Sequence, residues 1–210
     1  MMDETPCIST ALIDSELVVM MHDELRARDP EKASAADKAL NKGQSVSEDA
    51  CPKRFWRMTN IDDPKDAFDL FDAAGYWIVS ERAAEVLRRF DLGGGAIYPI
   101  TDGLYEEDNE TRIPGVYFCW IFGNVKSTFL PDETPRKRPF GVAGVRWNMP
   151  TIPKDNDIAL SPDARGGADV WIDPKLFQSL FVSGQLAKAL ALEGLYDAFR
   201  LKTCRIIDLC

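Results

Sequence analysis

The chain has 210 residues, 45% of them apolar and 10% aromatic, enough to bury a core and inconsistent with a disordered polar tail. Its 34 acidic and 25 basic residues leave a net charge of -9, a sign that repels phosphate backbones and argues against nucleic-acid binding. No apolar run approaches the roughly 18 residues that a membrane span requires.

Met1-Met2-Asp3-Glu4 is acidic and polar, unlike the basic start of a secretory signal, so a cytoplasmic location is expected. Ala11 to Arg28 reads as an N-terminal helix, because Ile13, Leu17, Met20, Met21 and Leu25 approximate one face. Pro30 should stop it. From Glu31 to Ala50 the chain is Ala, Ser, Lys and Asp with almost no large apolar residue, which predicts a mobile linker or frayed helix. The expected division is therefore 1–50, helix and linker, and 51–210, a compact body.

The body contains an internal echo. The stretch 76–100 and the stretch 179–204 align at an offset that places Val79 on Val182, Ser80 on Ser183, Ala84 on Ala187, Leu87 on Leu190 and Leu92 on Leu195. In each, a short apolar run delivers a Ser suited to cap a helix. The helix faces are Ala83, Val86, Leu87 and Phe90 in the first copy, and Leu186, Ala189 and Leu190 in the second. Gly93 and Gly194 are expected to close these helices, and a strand-like run follows each. Between the copies, Gly115 to Gly123 is a near-continuous aromatic and β-branched run, the pattern of a buried central strand. Phe140–Trp147 and Ala168–Ile172 read as further strands, and Asp62 to Asp72, with Phe68, Leu70 and Phe71, as a helix. No regular βαβ rhythm appears. The predicted class is α+β: a mixed, largely antiparallel sheet with two echoing strand–helix–strand units and an N-terminal helix.

Catalytic and metal-binding patterns are weak. The one histidine, His22, falls in the predicted N-terminal helix with no nucleophile at a recognisable spacing. The five cysteines, Cys7, Cys51, Cys119, Cys204 and Cys210, include no CxxC pair, and Cys119 and Cys204 read as small core residues. Gly93-Gly94-Gly95 follows a helix, whereas a phosphate cradle precedes one. Asp155, Asp157 and Asp163 lack the Gly and Glu positions of a calcium loop and read as a solvated loop. No cofactor, no metal and no catalytic residue is therefore expected. Two acidic clusters remain: Asp62, Asp63 and Asp66 with their neighbours, and the run Glu106, Glu107, Asp108, Glu110 beside Tyr105. Crowded like charges suit docking to a cationic partner, with Tyr105 as an aromatic anchor.

The C-terminal part is Ala168-Asp-Val-Trp-Ile-Asp, then Leu180-Phe-Val-Ser-Gly-Gln-Leu-Ala-Lys-Ala-Leu, then Gly194-Leu and Phe199-Arg-Leu. This pattern resembles the Imm11 family of bacterial immunity proteins associated with polymorphic toxin systems. The resemblance spans roughly Trp56 to Ile207. It implies a non-enzymatic cytoplasmic protein that binds and blocks a cognate toxin, and it offers no catalytic residue; the net charge of -9 adds the expectation that the toxin has a basic surface. Two other readings stay open at this point. One is a carboxylate- or metal-dependent enzyme, which needs acids converging in a cleft. The other is a self-associating regulatory module, a homo-oligomer needing no toxin.

Overall fold

A computed structural model describes residues 5–58, 68–141 and 144–208. Strand β1 (Cys7–Ser9) precedes 3-10 turns at Ala11–Ile13 and Ser15–Leu17, then β2 (Val18–Val19) and β3 (Met21–Asp23). Helices α1 (Glu24–Arg28) and α2 (Pro30–Leu40) follow, then β4 (Arg54–Arg57), β5 (Leu70–Ala73), β6 (Tyr76–Ser80), α3 (Glu81–Leu87) and β7 (Ala96–Pro99). The chain continues through β8 (Gly103–Tyr105), β9 (Arg112–Ile113), β10 (Tyr117–Ile121), β11 (Arg138–Phe140), β12 (Arg146–Asn148), β13 (Ala159–Leu160) and β14 (Val170–Trp171). It ends with β15 (Leu180–Val182), α4 (Gly184–Leu192), β16 (Leu201–Thr203) and β17 (Arg205–Ile206). The class is α+β, with mostly antiparallel pairing. No helix among the described residues is long and apolar enough to cross a membrane.

The chain divides into two compact units. One comprises Asp14–Arg88 and Gly94–Gly123. Its main sheet has the order β2-β5-β6-β10-β7, and a second sheet runs β3-β4-β8-β9. Its core gathers Phe55, Phe71, Tyr76, Ile78, Leu104, Cys119 and Ile121. The other unit comprises Met1–Ile13, Arg89–Gly93 and Asn124–Cys210. Its main sheet is β14-β15-β1-β16, around a core of Ile8, Phe129, Leu160, Trp171, Phe181 and Cys204.

The echo is a structural repeat at the level of register, and it builds two separate sheets. Val79 lies between Leu70 and Phe118; its counterpart Val182 lies between Val170 and Cys7. Ile78 lies between Phe71 and Cys119; Phe181 lies between Trp171 and Ile8. In both sheets the strands before and after the helix straddle one central strand, β10 in the first and β1 in the second. Each helix opens on its Ser. The Ser80 hydroxyl accepts from the Ala83 N–H (3.4 Å), and the Ser183 hydroxyl from the Leu186 N–H (3.2 Å). Gly194, at φ 69°, closes α4: the Leu195 N–H donates to the Leu190 carbonyl (2.7 Å) and the Gly194 N–H to that of Ala191 (3.0 Å). Gly93 plays no such part, because α3 already ends at Leu87.

Several expected elements differ. Ala11–Arg28 is not one helix; apart from the 3-10 turns at Ala11–Ile13 and Ser15–Leu17, only Glu24–Arg28 is helical. Residues 17–23 alternate strictly between buried and exposed, a strand period carried by Leu17, Val19, Met21 and Asp23 facing inward. Buried Asp23 and exposed Met20 disguised it. Asp23 then caps α1 by accepting from the Arg26 N–H (2.6 Å). Pro30 does not stop a helix but starts one: Asp29 accepts from the Lys32 N–H (3.0 Å), and α2 runs through part of the expected linker. Its interior is alanine, the strongest helix former, and Ala33 and Ala36 are buried. Of the helix expected over Asp62 to Asp72, residues 62–67 lie outside the described residues, and Leu70 to Asp72 belong to strand β5, paired with β6 across an Ala74-Gly75 turn with φ of 54° and 88°. Phe140–Trp147 is not one strand: Phe140 ends β11 and Arg146 begins its antiparallel partner β12. Gly115–Gly123 does hold a central strand, with all five residues of β10 buried. Cys7, Cys51, Cys119 and Cys204 are buried free thiols, and Cys210 lies outside the described residues. A hydrogen bond with Cys51, together with burial, pushes the Cys119 thiol up, and burial does the same at Cys204.

The caps generate a test. Ser183→Ala should cost about 1 kcal/mol in urea unfolding, and Ser183→Asp should recover most of it by restoring an acceptor. Ser80→Ala should cost more than Ser183→Ala, because the Ser80 hydroxyl also donates to Asp69 (2.6 Å).

Candidate partner-binding site

The acidic run Glu106–Glu110 forms the tip of the β8–β9 hairpin. Strand β9 pairs with β8, β8 lies parallel to β4, and β4 pairs with β3. The register aligns His22, Trp56, Tyr105 and Arg112 in one row across four strands. The opposite face presents Phe55 and Leu104, both buried. His22 is therefore an exposed strand residue, not a helical one, and its ring lies 5.5 Å from that of Trp56.

The tip is tightly built for a solvent-exposed turn. The Glu106 N–H donates to the Thr111 carbonyl (2.8 Å), and the Asn109 N–H to that of Glu106 (3.0 Å). Asp108 accepts from the N–H groups of Glu110 (2.9 Å) and Thr111 (2.8 Å) and from the Thr111 hydroxyl (2.6 Å). These bonds, the Thr111 hydroxyl foremost, hold the Asp108 carboxyl below its ordinary range.

Arg54, on the neighbouring strand β4, fastens this turn. Its Nε donates to Asn109 Oδ1 (2.8 Å), one Nη to the Asn109 carbonyl, and the other to Asp102 (3.1 Å). Its guanidinium also lies 3.8 Å from the Tyr105 ring centroid. Asn109 adopts φ 54°, which Asn tolerates well.

The expected contact residues thus separate by role. The Tyr105 ring carries Arg54 on one face, and its hydroxyl donates to Asp102 (3.0 Å). Glu106 pairs with Arg57 (3.1 Å). Asp108 is occupied within the turn. Glu107 and Glu110 are exposed, and no described side chain pairs with their carboxylates. Asp62, Asp63 and Asp66 lie outside the described residues. Arg54, Asp102 and Asn109 are the positions that sequence reasoning missed. The available signal was Asp108-Asn109 between two strands, a turn-forming pair.

Other acids hold structure together. Asp155 accepts from the Thr203 N–H (2.8 Å), while Asp157 accepts from the Lys154 N–H (2.8 Å) and pairs with Arg136. Arg26 bridges Asp23 (3.3 Å) and Asp37 (2.8 Å). Near it, Asp72 is pushed up to about 6, chiefly by burial; the Gly75 N–H opposes the shift and the charge of Asp37 adds to it.

Two measurements follow from this geometry. Arg54→Ala should raise amide exchange at 106–111 by about tenfold or more, with little change in the β6–β10 core. Asp72 binds its proton more tightly when folded, so its contribution to stability falls as pH rises from about 4 to about 6. Asp72→Asn should therefore be more stable than the parent protein at pH 7 and lose that advantage below pH 4 in urea unfolding at each pH.

The family model described as the immunity protein family (Imm11) matches residues 17–198. No curated protein matches the chain. The family match takes in the whole β8–β9 hairpin and both Ser-capped helices, leaving β1 and β16 outside its bounds. The chain belongs to the immunity protein family (Imm11).

Proposed function

We propose that this protein neutralises a cognate antibacterial toxin by binding it, without catalysis or a cofactor, and that it does so in the cytoplasm. The β8–β9 tip is the proposed contact. The supporting observation is that Glu107 and Glu110 extend their carboxylates from a turn fastened by Arg54 and Asp108. A rigid turn loses little conformational freedom on binding, so more of the interaction energy remains as affinity. The partner surface is basic, and the overall charge of -9 speeds encounter with it. Tyr105, Glu106 and Asp108 shape the contact from behind. Asp62, Asp63 and Asp66 join the proposal by charge alone.

The test uses the product of the adjacent reading frame as the toxin. Calorimetry should show tight binding, co-expression should rescue growth, and added salt should slow association. Glu107→Lys/Glu110→Lys should weaken binding by about tenfold or more while leaving the unfolding midpoint in place. Absence of both binding and rescue removes the toxin-binding reading. Full affinity in the reversed variant removes the tip from the contact.

A further inference from the structure

Residues 136–148 stand out against the acidic chain. They include Arg136, Lys137, Arg138 and Arg146 and no carboxylate, whereas the rest of the chain has 34 acids and 21 bases. Within it, Arg138–Phe140 and Arg146–Asn148 form the antiparallel β11–β12 ribbon. The register places Arg138, Phe140 and Arg146 on one face, with Pro139 and Trp147 on the other.

Each face holds its cation against rings. The Arg146 guanidinium lies 5.2 Å from the Phe140 ring and 5.3 Å from that of Phe177, and these two rings stack at 4.1 Å. Lys137 Nζ lies 4.8 Å from the Trp147 ring on the other side. Arg138 is exposed. Arg136 pairs with Asp157, but no carboxylate among the described residues pairs with Lys137, Arg138 or Arg146. A ring quadrupole orients a cation without cancelling its charge. Lys137 and Arg146, held against rings, and the exposed Arg138 therefore keep their positive charge.

The ribbon's anchorage is one-sided. On the β12 edge, the Trp147 N–H donates to the Lys175 carbonyl (2.8 Å) and the Phe177 N–H to the Trp147 carbonyl (2.8 Å). Strand β11 pairs only with β12 among the described strands. Pro139 lacks an N–H and makes β11 a poor template for an added strand, so recognition would pass through side chains. The described residues flanking the strands are open to solvent: a Cβ added at Gly141 or Gly144 would meet nothing within 4 Å, and Val145 is 61% exposed.

We propose that the β11–β12 ribbon docks a carboxylate-rich segment of a protein partner. Size separates this occupant from nucleic acid. Each strand has three residues and spans about 10 Å. Two or three carboxylates on a short segment match that span. A duplex places a charge about every 1.7 Å and would extend past the ribbon onto a chain whose overall charge of -9 repels it. The surface is opposite in charge to the β8–β9 tip, and the inference does not depend on the identity of any toxin.

The test is an NMR titration of the full-length protein at low salt with two probes: a short peptide of alternating Glu and Gly, and oligothymidine of equal charge. The peptide should shift the signals of residues 137–148 selectively, including the Trp147 indole. Lys137→Glu/Arg138→Glu should weaken its binding by about tenfold or more with the unfolding midpoint unchanged. If that pair perturbs the fold, Lys137→Gln/Arg138→Gln should still weaken the peptide, to a lesser degree. Peptide shifts elsewhere, equal peptide affinity in the variants, or tighter binding of oligothymidine at the ribbon would each overturn the proposal. So would self-association of the protein in sedimentation that the charge reversal abolishes, since the occupant would then be a second copy.

Discussion

A strand buried on both faces must satisfy its backbone groups along both edges, because water cannot reach them. Strand β10 meets this requirement with β6 on one side and β7 on the other. Strand β1 meets it with β15 and β16. One local solution serves both: a strand, a helix opened by Ser, and a returning strand that leaves a gap one strand wide. The gap fixes where the central strand lies, and the matched register shows how closely it does so. Hydrogen bonding at the centre of each sheet, more than any single apolar contact, organises its unit.

The β8–β9 tip is arranged on a different principle. Its turn has no apolar core and is held by charge-assisted bonds, those that Asp108 accepts and those that Arg54 donates. The same guanidinium covers Tyr105, so an aromatic ring and an acidic turn are fixed together. The ribbon uses rings to hold cations with their charge intact. Both features place charge on short hairpins: the tip ends a four-stranded sheet, and the ribbon is tied through β12 to residues 175–177.

What was legible in the sequence followed from local physics. Ser80 and Ser183 announced helix starts because a hydroxyl there has one favoured use. The apolar run around Tyr117–Ile121 announced a strand buried on both faces. Other features depended on partners distant in sequence. Val18 to Asp23 was read with a helical period because its buried alternation ends in a charged residue, whose burial depends on capping α1. The alanines of α2 carry little apolar area, so composition concealed a helix favoured by propensity and by Asp29. Leu70 and Phe71 became a strand through pairing with Val79 and Ile78, beyond an Ala-Gly turn that lacks the usual Asn. At the tip, the acids were visible as charge. Their division into bound Asp108 and outward Glu107 and Glu110 was not, because it rests on the way the turn closes Asp108 onto Glu110 and Thr111, and on Arg54, some fifty residues earlier, which holds Asn109 in that turn.

Strand β1 leaves the ribosome well before its neighbours β15 and β16. The unit containing β10 draws only on residues up to Gly123 and can close while synthesis continues. The other must keep Cys7-Ile8-Ser9 waiting, an apolar segment with both edges unpaired, until the C-terminal pieces arrive. Its assembly is therefore governed by long-range closure, with the slow kinetics and exposure to chaperones that such topology imposes. The two halves of the repeat, alike once folded, are born under opposite timetables.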